Sequence, residues 1–257
     1  MNVIYEDDAI LVADKPAGQI VHPAPGHEGG ALSDEFVAHC PFAAAVGSKE
    51  RPDVVHRLDR GTSGVIVLAK TQDAYLELRR QFESHRDVRK TYLAVCHGAP
   101  RPAKGVGDQP VGRDRRRAVS RYEVLGRSGP LALVRFDIET GRLHQVRLHA
   151  KALGHPVVGD PEHGDAAADR RLRARPSRMM LHAVELSFLH PTTHSRVTFV
   201  APPPAALAAA TLAQSRGRTT CSVIPPKAES LPSSQLDTWH RGARRSSSRG
   251  GSIRASQ

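Results

Sequence analysis

Apolar and polar positions along the 257-residue chain come in blocks that predict many short strands interrupted by three helices. Val3–Tyr5 and Ile10–Ala13 are apolar runs on either side of Glu6-Asp7-Asp8, the pattern of two strands around a turn. Lys15–Gly18 ends the second, and Val21–Gly26 is too rich in Pro and Gly for regular structure. Leu32, Phe36, Val37 and Cys40 share one stripe, which predicts a helix over 32–40 that Pro41 stops. Val65–Ala69 is continuously apolar and reads as a strand buried on both faces. Thr71 is placed to cap a helix over 72–84, with Asp73 in its first turn and Ala74, Leu78 and Phe82 on its buried face. A strand follows over 88–97, then a stretch of Pro, Gly and charge from Gly98 to Ala118. Two strands, 119–125 and 131–139, flank a Ser128-Gly129-Pro130 turn. Thr140 is placed to cap a helix over 142–153, whose stripe is Leu143, Val146, Ala150 and Leu153 and whose stop is Gly154. A charged insertion, 165–176, precedes closing strands over 179–189 and 196–200 and a last short segment at 202–210.

The pattern fails near Leu212. From there to Gln257 the chain is Ser, Arg, Pro and Gly with one Trp, and its eight Lys or Arg against two acids hold +6 of the formal +11. Such a tail buries too little apolar area to offset the entropy of ordering and is expected to be disordered. Two regions are therefore expected, a folded body over 1–211 and a basic tail over 212–257. Composition narrows the function. The body core must be aliphatic, since only 4% of residues are aromatic, and the excess of Lys and Arg favours a polyanionic partner, nucleic acid first. No apolar run is long enough to span a bilayer, and the acidic start, Met1–Asp8, does not read as a secretory signal. Cys40, Cys96 and Cys221 make neither a disulfide framework nor a zinc site, which fits a reducing cytoplasm.

The candidate chemistry centres on Val55-His56-Arg57-Leu58-Asp59-Arg60-Gly61-Thr62-Ser63-Gly64, a charged Gly-rich loop leading into the 65–69 strand. A loop on a rigid scaffold is a good way to hold one carboxylate in a fixed pose. The spacing alone equally allows a structural Asp59 paired with a neighbouring Arg. Ser63 lacks the fifth residue of a Gly-x-Ser-x-Gly elbow, and no Gly-Lys-Ser/Thr follows to make a phosphate loop. Fourteen histidines invite a metal reading, but there is no His-Glu-x-x-His or Cys-x-x-Cys, and His144 and His149 are five apart, off one helix face. His56, His144 and His182 read as packed or hydrogen-bonding side chains. Arg147, at the edge of an apolar stripe, is either a snorkelling surface Arg or a fixed cation for a buried carboxylate. Tyr92 alone reads as an ordinary sheet residue.

Together these stretches resemble the RluA-type pseudouridine synthase family. His56–Gly64 resembles its central motif and Asp14–Gly18 through His22-Pro23 its N-terminal hairpin. Arg89–Val95 resembles its tyrosine strand and Thr140–His149 its third motif, with Gly154-His155-Pro156, Gly159-Asp160-Pro161 and Leu181-His182-Ala183 continuing in the same order. The resemblance covers about residues 3–204. It implies an α+β fold: a single catalytic domain with a mixed, mainly antiparallel sheet, flanking helices and a central RNA-binding cleft, with no S4-like RNA-binding domain ahead of it. The implied reaction is the isomerisation of uridine to pseudouridine in RNA, without cofactor or metal, in large-subunit ribosomal RNA first and tRNA second. Asp59 would be the essential carboxylate, as nucleophile or as base near the sugar. Arg147 would pair with it and keep it ionised and oriented. Tyr92 would stack on the uracil and take part in proton transfer, and Arg60 would hold the space left by the everted base. Arg57, Arg60, Arg113, Arg115, Arg116, Arg142 and His144 are the expected RNA contacts, with Arg79, Arg80 and Arg86 adding basic surface that holds phosphates. A monomer is expected. Two departures stand out: Arg113–Ser120 replaces a longer hairpin, and His163 stands where the family usually has Tyr. The rival readings are a non-catalytic RNA-binding or ribosome-assembly protein using the same cleft, and a metal-dependent nucleic-acid hydrolase.

Overall fold

A continuous apolar strand needs cover on both faces, and the fold is built around one. The computed structural model describes residues 1–23, 29–48, 51–52, 55–112, 114–205 and 207. Every residue of β5 (Ser63–Ala69) is buried; the other strands are β1 (Val3–Glu6), β2 (Ile10–Lys15), β3 (Gly47–Ser48), β4 (Arg51–Pro52), β6 (Arg89–His97), β7 (Lys104–Gly107), β8 (Ser120–Ser128), β9 (Leu131–Ile138), β10 (Leu181–Leu189) and β11 (Arg196–Val200). Nine of them form one sheet in the order β1-β2-β5-β10-β6-β9-β8-β7, with β11 also on β10, while β3 and β4 pair separately. All pairings in the large sheet are antiparallel except β5 with β10, which run parallel through His182 opposite Ser63 and Ala183 opposite Gly64. The α+β class with a mixed, mainly antiparallel sheet is as the resemblance implied.

That parallel contact depends on glycine. Gly64 has φ +119°, and a Cβ there would lie 2.1 Å from the Ala183 carbonyl oxygen. No side chain fits at that distance, so the residue ending the Asp59 loop brings β5 against β10.

The helices are α1 (Leu32–His39), α2 (Gln72–Ser84), α3 (Gln145–Ala152) and α4 (Ala166–Arg171), with a 3-10 turn at Pro41–Ala45. Thr71 caps α2 as its position predicts, its hydroxyl accepting the Ala74 N–H at 3.2 Å. Ala74, Leu78 and Phe82 are buried, with Tyr75 and Gln81. One apolar cluster holds β2, β5, α1 and α2; a second holds β6, β9 and α3, including Val146, Ala150, Phe136 and Leu181. β10 contributes to both.

Three expectations need correction. The helix expected from Arg142 starts at Gln145, preceded by His144 in a left-handed conformation (φ 56°). Thr140 does not cap it. Its hydroxyl donates to Gln145 Oε1 at 2.7 Å and accepts the Val119 N–H at 3.1 Å, while the Gln145 amide donates to the Val119 carbonyl and the Ser120 hydroxyl. These bonds tie residues 140–145 to the start of β8 and leave 141–144 as a turn. The stretch 98–118, read as loop, also contains β7, an edge strand whose Gly105 and Gly107 and exposed Val106 show no alternation. The charged insertion carries α4, capped by the Asp165 carboxylate on the Ala167 and Ala168 N–H groups. The tail, 212–257, lies outside the described residues, as does Arg113.

Candidate active site

The loop before β5, the middle of β6 and the 141–147 segment converge on an open cleft of about 730 Å³, a size that suits a nucleotide-sized group. Asp59 reaches it from a loop held at several points. Leu58 is buried in the first apolar cluster, and the Asp59 carbonyl accepts the Thr62 N–H at 3.0 Å. Gly18 N–H donates to the Arg60 carbonyl at 2.7 Å, and Arg60 Nε donates back to the Gly18 carbonyl at 3.0 Å. His56 stacks on Phe82 at 4.4 Å, and its Nε2 accepts the Val67 N–H, so the ring is neutral; burial, and then the Lys90 charge, push it down to about 3. His182 accepts from the Ser63 hydroxyl and donates to the Ala201 carbonyl, and burial pushes it down to about 4. Arg178 donates to the same hydroxyl at 2.7 Å. Ser63 is thus enclosed in a structural network. Lys15 is buried too, donating to the Pro16 and Gln19 carbonyls and pinning the hairpin.

Arg147 stands behind Asp59. Its Nη1 donates to Asp59 Oδ2 at 3.1 Å, and the rest of the fork is taken elsewhere. Nε and Nη2 donate to the two oxygens of Asp160 at 2.7 and 2.8 Å, and Nη2 also reaches Glu162 at 2.9 Å. A bidentate pair fixes a planar guanidinium in orientation as well as place, so Asp160 determines which nitrogen Asp59 meets. The Asp160 carboxylate also accepts the Glu162 and His163 N–H groups, each at 3.0 Å. Burial opposes its ionisation, but Arg147 and these amides outweigh that and hold the carboxyl below the usual carboxylate range. Exposure divides the roles: the Arg147 and Asp160 side chains are 4% and 0% exposed, Asp59 18%. Both line the cleft, but the acid is the more open to it and the cation is almost wholly covered.

Tyr92 lies mid-sheet in β6, opposite Ala183 and Phe136, and lines the cleft. Burial and then the Asp59 charge raise its phenol, so it keeps its proton at neutral pH. It offers a flat face and a held proton, not a base.

The expected RNA contacts separate. Arg57, Arg142 and His144 line the cleft. Arg60 turns to the hairpin, and Arg57, two residues before Asp59, occupies the cleft wall instead. Arg115 and Arg116 are exposed on a turn, Arg116 beside Asp114 at 3.5 Å, and neither lines the cleft. Arg79 and Arg80 are paired with Glu83 and Glu77, which partly neutralises the basic surface expected of them. His144 and His163 share a hydrogen bond of 2.9 Å, and His144 Nε2 is 3.9 Å from Asp59. With Glu162 they place three possible ligand atoms within 4.8 Å of one another, a grouping His spacing in the sequence did not suggest. Asp160 is the main residue that sequence reasoning left without a role. It was visible only as the acid of Gly159-Asp160-Pro161, and a contact spanning thirteen residues through a loop leaves no periodic trace.

A family model described as RNA pseudouridylate synthase matches residues 9–152. A protein of Synechocystis sp. named as an uncharacterized RNA pseudouridine synthase is 37% identical over 80% of this chain and 66% of its own length. A Neisseria meningitidis protein named ribosomal large subunit pseudouridine synthase D is 36% identical over 79% of this chain and 58% of its own. The chain thus spans about two thirds or less of these relatives. The solved structure of human RNA pseudouridylate synthase domain containing 4 superposes with a TM-score of 0.68 at 25% identity, covering 83% of this chain and 92% of that one. Among the described residues no helix is long and apolar enough to cross a membrane.

Proposed function

The chain belongs to the RNA pseudouridine synthase family, and from that premise we propose that it isomerises uridine to pseudouridine within RNA. One observation carries the reading: a partly exposed carboxylate, Asp59, meets a guanidinium whose direction is fixed from behind, on the wall of a cleft that also presents Tyr92. In a duplex or a stacked strand the sugar face and C5 of uridine are blocked, so the nucleotide must be everted. Tyr92 stacks on the base, and Asp59 acts at the sugar or its C1′, as nucleophile or base. The C1′–N1 bond breaks, the uracil turns, and C1′–C5 forms; C5 gives up its hydrogen and N1 gains one, so composition is unchanged. Arg147 keeps Asp59 charged and aimed while the glycosidic bond is broken. Arg57, Arg142 and His144 on the cleft wall contact the RNA, and Arg60 supports the loop.

The finer reading is large-subunit ribosomal RNA, supported by the Neisseria meningitidis relatives named ribosomal large subunit pseudouridine synthase D; tRNA is the alternative. We propose a cytoplasmic location, supported by buried Cys40 and Cys96 outside any disulfide, which suit a reducing compartment, and a monomer as its working state. Release of tritium from RNA carrying [5-³H]uridine tests the reaction, and mapping pseudouridines in cells with and without the gene tests the substrate. Absence of release from both ribosomal and transfer RNA with folded protein would overturn the reading.

A further inference from the structure

The wall of the cleft away from Arg147 holds a second group of charges. Lys90, on β6 two residues before Tyr92, is 7% exposed yet lines the cleft. Among the described residues, no ion pair joins Lys90 or Arg142 to a carboxylate, and no protein acceptor stands within hydrogen-bond distance of Lys90 Nζ. Its neighbour is the Phe82 ring, 5.9 Å from Nζ to centroid. A ring face attracts a cation but satisfies none of an ammonium's three N–H donors. Arg142 lies close enough to repel it, and burial with that repulsion pushes Lys90 down to about 8. His85, left-handed at the end of α2, lines the same wall, and its buried Nδ1 has no hydrogen-bond partner.

Glycine keeps the space between them open. A Cβ at Gly141 would lie 3.1 Å from Lys90 Nζ and 3.9 Å from His85 Cε1. The Gly141 backbone is not left-handed, so any residue could adopt it; what the glycine leaves is room. A buried cation without an acid, an orphaned imidazole nitrogen and a slot that a methyl group would fill describe a site lacking its anion.

The geometry points to a phosphate subsite, in which Lys90 Nζ, flanked by Arg142 and His85, takes one backbone phosphate of the RNA strand next to the uridine held at Asp59. This rests on the reading of the cleft as an RNA site. Lys90 and Tyr92 face the cleft from alternate positions of one strand, about 7 Å apart along it, a gap that one nucleotide bridges. The phosphate therefore belongs to the everted nucleotide or its immediate neighbour, and its capture anchors the strand at the cleft.

The test uses the full chain, a fluorescein-labelled single-stranded RNA containing uridine, and ribosomal and transfer RNA carrying [5-³H]uridine. Lys90→Met keeps the length and apolar stem and removes the charge. It is expected to weaken RNA binding roughly tenfold at low salt and to reduce the slope of log affinity against log salt by about 0.7, the release of one phosphate contact on a single strand. KM for RNA should rise while kcat stays within about threefold, since the contact is made equally in ground and transition states. The melting temperature should hold or rise, because no acid is orphaned. Gly141→Ala keeps every charge and closes the slot, and should lower affinity in the same direction. Unchanged affinity and salt slope in both variants, with wild-type protein releasing tritium, would overturn the subsite and leave the isomerase intact. Lost affinity and slope with no tritium release by wild type from either ribosomal or transfer RNA would uphold the subsite and overturn the isomerase.

Discussion

At one end of the cleft a single guanidinium is enclosed by three carboxylates; at the other, an ammonium and a second guanidinium face the opening with no acid paired to them among the described residues. Both ends are positive in sequence. Only the structure separates a cation that holds a protein carboxylate from cations left for a partner. Arg147 spends four of its five N–H donors on Asp59, Asp160 and Glu162, and its charge is already balanced by protein carboxylates. Lys90 has nothing to release. The difference teaches that net charge marks a polyanion-binding protein but does not say which basic residues bind it.

The sharpest way to break the comparison is to remove the acid itself. Asp59→Asn is expected to cut tritium release by on the order of 10⁴-fold while RNA binding measured by anisotropy persists; retained turnover would remove Asp59 from the chemistry. Next is the contrast between the two cations on folding. Arg147→Met leaves fully buried Asp160 without its partner and should cost about 3–5 kcal/mol in urea melts, the opposite of the neutral or stabilising change expected at Lys90. Equal effects would mean the two ends do not differ as described. Asp160→Asn retains shape but loosens the fork, and should lower kcat about 10²-fold through misplacement of Asp59, with KM for RNA little changed.

Acid provides a gentler probe. His56 and His182 are held neutral, with folded values near 3 and 4 against an ordinary 6.5. Between those limits the unfolded chain binds protons that the folded one excludes, so stability is complete above about pH 6.5 and falls as pH drops toward 4. Scanning calorimetry from pH 7 to 5 should show the decline, and His56→Gln, whose amide oxygen can still accept the Val67 N–H, should flatten it. The smallest effect is expected at His163→Tyr, within about threefold in kcat/KM, since position 163 contributes to Asp160 through its backbone amide.

Much of this was legible without coordinates. Strand β5 announces itself by unbroken apolarity, and α2 by a capping threonine and a four-residue repeat. Asp59, Tyr92 and Arg147 are legible because they sit in contiguous stretches that match a family's motifs. The start of α3 was not, since a left-handed His144 obeys the turn around it and not helix propensity. Nor was β7, where glycines at an edge hide the alternation. Asp160 and the openness beside Gly141 depend on contacts across thirteen and fifty-one residues, which periodicity does not record. Arg60, given a role by its place in the family motif, lies in the turn closed by the Thr62 N–H on the Asp59 carbonyl and bonds Gly18, while Arg57 lines the cleft.

The contact of Gly64 with Ala183 has a consequence beyond the strand pair itself. Asp59 belongs to the half of the protein built on β2 and β5, and Arg147 to the half built on β6 and β9. Their 3.1 Å meeting is therefore a property of the seam, inherited from how the two halves are stitched along β10. Enlarging residue 64 would prise that seam apart, so a position that touches no substrate governs the alignment of the pair that does.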